Sequence, residues 1–258
     1  MDVGKSLSFV FEDRRWLEKT LIGGLILLGT LALSWTIVGL FVGAGLLYGY
    51  MVEVVRNVRR HEPYPLPEWD NWGDKIVLGL KYLVVYLAWS LPLLLIWIPF
   101  IMLTILVGES GSDTASGIFA VVAVCVTCVV LLYSLLLLLV SPGITIRFAE
   151  RGNIADGLAV SAILSFTREH LGDVILAVIV ILAVNLLAAI VGLILCGIGL
   201  LFTNFWAMVV MGHVYGQIGL GKGTGLTSTP GPRYDLSPDD IMPGVGELPA
   251  EGERPAGA

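Results

Sequence analysis

Four runs without a charged residue divide the chain: Thr20–Val52, Tyr82–Gly108, Thr114–Ile146 and Val174–Gly221. Each exceeds the roughly 20 residues that an α-helix needs to cross a bilayer core of about 30 Å. Apolar and polar positions do not alternate within them, as they would in the strands of a transmembrane β-barrel. The pattern predicts an all-α fold, a polytopic transmembrane helical bundle of about six membrane segments with short interfacial helices between them. Polar residues gather in 1–19, 53–81, 109–113, 147–173 and from 222 onward.

The first run sets the topology. As one straight helix its 33 residues would span about 50 Å, well beyond the hydrocarbon core. Lys and Arg concentrate on the cytoplasmic side of membrane proteins. Here they number four in 1–19, five in 53–81, three in 147–173 and three in the C-terminal tail, with none in 109–113 or near Cys196-Gly197-Ile198-Gly199. All the basic segments share one side only if residues 20–52 enter the membrane and return. They do so either as a helical hairpin or as a re-entrant pair, and Gly39, Gly43 and Gly45 mark the expected reversal, because glycine allows the backbone of a tight turn. One long tilted helix is the competing reading. Both termini are then cytoplasmic.

The segment 53–81 is the longest polar interruption ahead of the tail. It carries Arg56, Arg59, Arg60, Lys75 and Lys81, three prolines at alternate positions (Pro63, Pro65, Pro67), and Trp69 and Trp72. Proline keeps the preceding residue out of the helical conformation, and tryptophan favours the headgroup layer. An extended stretch along the membrane surface is expected, with a helix restarting near Asp74. The second connector, 147–173, is expected to hold a short amphipathic helix from an Asn153 N-cap to Phe166, with Asp156 in its first turn. Thr114–Ile146 is expected to end near Ser141-Pro142-Gly143. Residues 1–19 read as an interfacial segment.

Composition agrees with this class. Hydrophobic residues make up 56% of the chain and charged residues 14%, against about 25% charged in soluble domains. The net charge of −6 leaves no basic face for nucleic acid. Cys125, Cys128 and Cys196 lie inside apolar runs, which excludes a secreted disulfide framework. Pro and Gly make up about a third of 222–258, with acidic residues scattered through, a composition that cannot build a core. The division expected is a transmembrane domain over 1–221 and a disordered acidic tail over 222–258.

Candidate chemistry is sparse. No Asp, Glu, Lys or Arg lies deep in a crossing, where ion-coupled transporters keep such groups. There is no phosphate loop, HExxH or GxSxG pattern, so no catalytic, cofactor or metal residue is assigned. Cys125-Val-Thr-Cys128 has CxxC spacing but sits in an apolar run without a second pair. His61 and His170, with the connector carboxylates, match no metal spacing. Asn185, His213 and Gln217 are the polar intramembrane candidates. Gly212 and Gly216 form a small-residue stripe of the kind that packs membrane helices, within one chain or between copies. Pro92 and Pro99 kink the second run, as a static bend or a hinge.

Two stretches also carry a likeness. Gly49-Tyr50 before a basic helix end, Leu66-Pro67-Glu68-Trp69-Asp70-Asn71-Trp72-Gly73, and Gly79-Leu80-Lys81 opening a membrane helix together resemble the archaeal domain-of-unknown-function 4013 family. Arg147-Phe148-Ala149-Glu150-Arg151-Gly152-Asn153 is similar to its second polar segment. The likeness covers most of 15–220. It implies multi-pass membrane proteins common in halophilic archaea, and the pI of about 5.0 fits that setting; it implies no activity. The expected function is that of a non-enzymatic protein of the cell membrane. Its connectors would form a surface for lipid headgroups or a partner protein, through Arg56, Arg59, Arg60, Trp69, Trp72 and Lys75. A small-solute transporter or channel is the alternative, and a membrane-lipid enzyme the third.

Overall fold

In the computed structural model, which describes residues 2–110, 113–195 and 197–220, the chain is helical with no strand among the described residues. The helices are α1 (Val3–Glu12), α2 (Trp16–Ala32), α3 (Ile37–Arg59), α4 (Trp72–Ser110), α5 (Asp113–Arg151), α6 (Ile154–Gly157), α7 (Val160–Glu169), α8 (Leu171–Ile194) and α9 (Gly199–Gln217). Among the described residues four are long and apolar enough to cross a membrane: α3, α4 to Gly108, α5 from Ser116, and α8. The tail expected over 222–258 lies outside the described residues, as does Cys196.

Residues 20–52 form a helical hairpin, α2 and α3, and not a single helix. The reversal falls at Leu33–Thr36, ahead of the expected glycines. Hydroxyls make that turn. Thr36 Oγ1 accepts from Gly39 N at 3.1 Å as the N-cap of α3, and Ser34 Oγ donates to Leu31 O at 2.7 Å, so side chains occupy backbone groups that a helix end leaves open. The glycines serve packing. A Cβ on Gly43 would strike Thr30 of α2, and one on Gly79 of α4 would strike Gly45 O and Gly49 N of α3. Helix backbones therefore meet directly at the α3–α4 crossing.

α3 is the axis of the core. Tyr50, Met51, Val52, Val54 and Val55 are fully inaccessible, and α3 packs on α2, α4, α5 and α9. Around them lie Tyr82 and Val85 from α4, Ile144, Ile146 and Phe148 from α5, and Phe205, Val209, Val210 and Val214 from α9. α5 does not stop at Ser141-Pro142-Gly143 but continues to Arg151. Pro142 cannot donate to Leu138 O, and a proline there normally breaks a helix. The Ser141 hydroxyl donates to that carbonyl at 2.9 Å instead, and Gly143 lets α7 approach through Ile163 and Thr167. The single connector helix expected after Asn153 is two, α6 and α7, broken at Leu158–Ala159; Asn153 is the N-cap residue of α6 without a side-chain bond.

Candidate interfacial site

The polar connectors and helix ends gather at one end of the bundle, where the extended strap 61–71 is fastened across α2, α3 and the start of α4. Tyr50 Oη donates to Pro67 O at 2.9 Å and Asn57 Nδ2 to Pro65 O at 3.1 Å. Prolines keep those residues extended and free their carbonyls for side-chain donors. Trp69 lies half-buried on the strap. It stacks on Tyr50 at 4.3 Å and donates from Nε1 to Lys19 O at 2.9 Å. Trp72 is the more open of the pair, 45% exposed, and donates to Trp69 O.

Two buried lysines hold the strap down. Lys19, 3% exposed, meets Asp13 Oδ2 at 2.7 Å, Glu68 Oε1 at 2.8 Å and Leu66 O at 3.0 Å. Lys75, 2% exposed, meets Glu53 Oε2 at 2.9 Å, and Asp70 at Oδ1 (3.1 Å) and O (3.0 Å). Each ammonium has its three donors occupied, as a buried charge requires. Burial alone would raise the Asp13 carboxyl; hydrogen bonds from Lys19 and the Arg15 backbone outweigh it and hold Asp13 below the ordinary value. Lys75 likewise lowers Asp70, and the Arg15 guanidinium lowers Glu18. A surface recess of about 360 Å³ lies beside Lys19, lined by Arg15, Glu18, Ile22, Glu68, Trp69 and Asp70.

The arginines expected at a lipid surface divide. Arg56 Nε donates to Ala149 O at 2.6 Å, at the C-terminal end of α5. Arg59 donates to Ile218 O at 3.1 Å and Gly216 O at 3.4 Å, beyond and within the end of α9, and pairs with Glu150 at 2.6 Å. Carbonyls at helix C-termini lack intrahelical donors and carry partial negative charge, so both guanidinium groups join helix ends within the chain. Arg60 faces outward. Lys5, Arg14, Lys81 and Arg168 are also exposed and carry no ion pair among the described residues.

The other polar candidates are occupied inside the bundle. His213, 2% exposed, lies with Nδ1 at 3.0 Å from Ser6 Oγ and 3.3 Å from Gln217 Nε2, stacked on Phe9 at 4.0 Å. Gln217 Oε1 accepts from Asp2 N at 2.8 Å. Together they dock α1 on the end of α9, which fixes the N-terminal segment. Asn185 Nδ2 donates to Ile181 O at 2.8 Å, within α8 itself. Gly212 and Gly216 lie against Met51, Val54, Val55 and Val58 of α3, so the stripe considered for a homo-oligomer is covered within the chain. Cys125 and Cys128 are free and exposed on α5. His170 is buried and stacked on Phe166 at 4.6 Å, its Nε2 unpartnered. Among the described residues no three or more His, Cys, Asp or Glu side chains are grouped to hold a metal ion.

The lysine nests were not legible beforehand. Lys19 stands at the mouth of an apolar run, the usual place of a snorkelling lysine. Its partners come from a turn six residues back and a strap 49 residues on.

No curated protein and no solved structure matches the chain. The family described as "Protein of unknown function (DUF4013)" matches residues 32–197, a stretch that takes in the strap and all of α3 to α8. The chain is a multi-helix membrane protein that belongs to the DUF4013 family.

Proposed function

We propose that this is a non-enzymatic protein of the cell membrane whose polar end, with both termini in the cytoplasm, binds lipid headgroups through its outward-facing cations. The observation that carries this reading is the division among the basic residues. Lys19, Arg59 and Lys75 meet carboxylates and carbonyls of the chain, and Arg56 meets a carbonyl. Lys5, Arg14, Arg60, Lys81 and Arg168 remain exposed, as does Trp72. Cations next to a membrane surface attract anionic lipid at about 1 kcal/mol each, and an exposed indole favours the headgroup layer.

Native mass spectrometry of the purified protein in mixed anionic and zwitterionic lipid tests it. Replacing the five outward cations by Gln together should cut retained anionic lipid several-fold. The double variant Arg56→Gln/Arg59→Gln should lose stability more than lipid. Undiminished anionic-lipid retention by the five-site variant would sink the reading. Cysteine labelling at Arg60 and Ser165, both exposed, from the cytoplasmic side only checks the orientation. The transporter alternative gains no support from the core, where five side chains within residues 50–55 of α3 are fully packed.

A further inference from the structure

Two helices that cross at one point reach very different heights above it. The crossing is fixed by Gly45 and Gly49 of α3 lying on the backbone of Lys75, Ile76 and Gly79 of α4. From Gly45, α3 runs back to its start at Ile37, a rise of about 12 Å; from Gly79, α4 runs on to Gly108, a rise of about 44 Å. Even a tilt of about 40°, the upper end for membrane helices, shortens the longer arm only to about 34 Å.

Both ends are open to the surroundings. Trp35, at the tip of the α2–α3 hairpin, is 83% exposed, and Leu33, Ile37 and Val38 beside it are exposed too. Irregular backbone cannot sit uncovered in hydrocarbon. The tip therefore marks a headgroup plane, and the indole at its apex is the side chain that prefers that plane. α4 passes this level with Leu91, Leu95, Ile98, Met102 and Leu106 facing outward. Its partner is α5, through Tyr133 Oη on Trp89 O at 2.8 Å and Phe100 stacked on Phe119 at 5.5 Å. Exposed apolar side chains of this density require hydrocarbon around them.

We infer that the protein imposes a step in bilayer thickness, with the lipid thin beside the α2–α3 tip and thick beside the α4–α5 arm. The occupant of both faces is the bilayer itself. Mismatch costs only fractions of a kcal/mol per Å, so lipid can bend to meet both heights, while an uncovered turn in hydrocarbon or an apolar arm in water would cost more.

The test places a spin label, one at a time, at Trp35→Cys, Leu95→Cys and Leu103→Cys. The background is the Cys125→Ser/Cys128→Ser/Cys196→Ser variant, and the protein sits in dioleoyl-phosphatidylcholine nanodiscs. All three positions are exposed, and monodisperse gel filtration of each variant verifies folding. The accessibility of each label to oxygen and to a water-soluble nickel chelate reports its depth. The expected result is a Trp35 label at headgroup depth and both α4 labels in hydrocarbon. Cryo-electron microscopy of the same discs should show the headgroup layers closer beside α2–α3 than beside α4–α5 by about 10 Å or more. A Trp35 label in hydrocarbon makes the hairpin re-entrant and overturns the step. So does a Leu103 label in water, an α4 label whose spectrum is broadened by the label of a second copy, or headgroup layers of uniform separation.

Discussion

The lower and upper parts of α4 and α5 are both rich in apolar residues and have opposite surroundings. Below Trp89 and Tyr133, the two helices bury Lys75, Tyr82, Val85, Ile144, Ile146 and Phe148 against α3. Above, between Leu91 and Leu136, no described residue is buried. Hydropathy is high in both parts because a core position and a lipid-facing position are equally apolar. What separates them is small residues and polar joins. The lower part has Gly79, Gly143 and the Tyr82–Thr145 bond at 2.9 Å. In the upper part, Gly108 and Gly117 would meet nothing if given a Cβ.

Matched glycine substitutions sharpen that contrast most. Gly79→Leu drives a side chain into the α3 backbone, where no rotamer change can relieve the clash, so the cost exceeds the roughly 1–3 kcal/mol of ordinary core overpacking and loss of monodisperse protein on gel filtration is expected. Gly117→Leu, on the open arm, should change stability by less than about 0.5 kcal/mol, read as a nearly unchanged melting temperature. Equal effects of the two would dissolve the distinction between the regions.

Breaking an ion nest comes next. Lys19→Met leaves Asp13 buried without its cation, a loss of about 3–5 kcal/mol, readable as lower thermal stability in detergent. Lys81→Met, on the exposed side of the α4 start, should change it by less than about 0.5 kcal/mol. The same nest predicts a pH dependence with a definite sign. The Asp13 carboxyl is lowered in the fold from 3.8, so its contribution is complete above that value. It disappears as the pH falls from 3.8 through the lower folded value. Stability measured between pH 7 and pH 5 should therefore be flat in this respect, and in Lys19→Met the loss below 3.8 should shrink. The smallest of the disruptive changes is Tyr50→Phe, which removes the bond to Pro67 O and should cost about 1 kcal/mol. A change confined to hydrogen exchange in the strap would show that the bond is local.

Sequence alone determined the class and the polar punctuation. Runs of uncharged residues longer than a bilayer core admit helices only, the charge distribution required residues 20–52 to fold back, and alternate prolines kept 61–71 extended. The family likeness rested on the motif that became the strap and its flanking helix ends. Tertiary structure decided how each polar group is used. Arg56 and Arg59 appear in sequence as surface cations, but their targets are carbonyls of α5 and α9, about 90 and 160 positions away. Lys75 and Lys19 look alike to Arg60 in any count of charge, and only packing shows that their ammonium groups are enclosed. The reversal at Leu33–Thr36 is closed by hydroxyls, with Gly39 close against Leu33 and Thr36, because a turn needs acceptors and donors for open backbone groups, whereas Gly43, Gly45 and Gly49 were required where two helices touch. Charge and hydropathy are local properties of the chain; which carbonyl, carboxylate or lipid a side chain meets is set by segments that sequence does not place side by side.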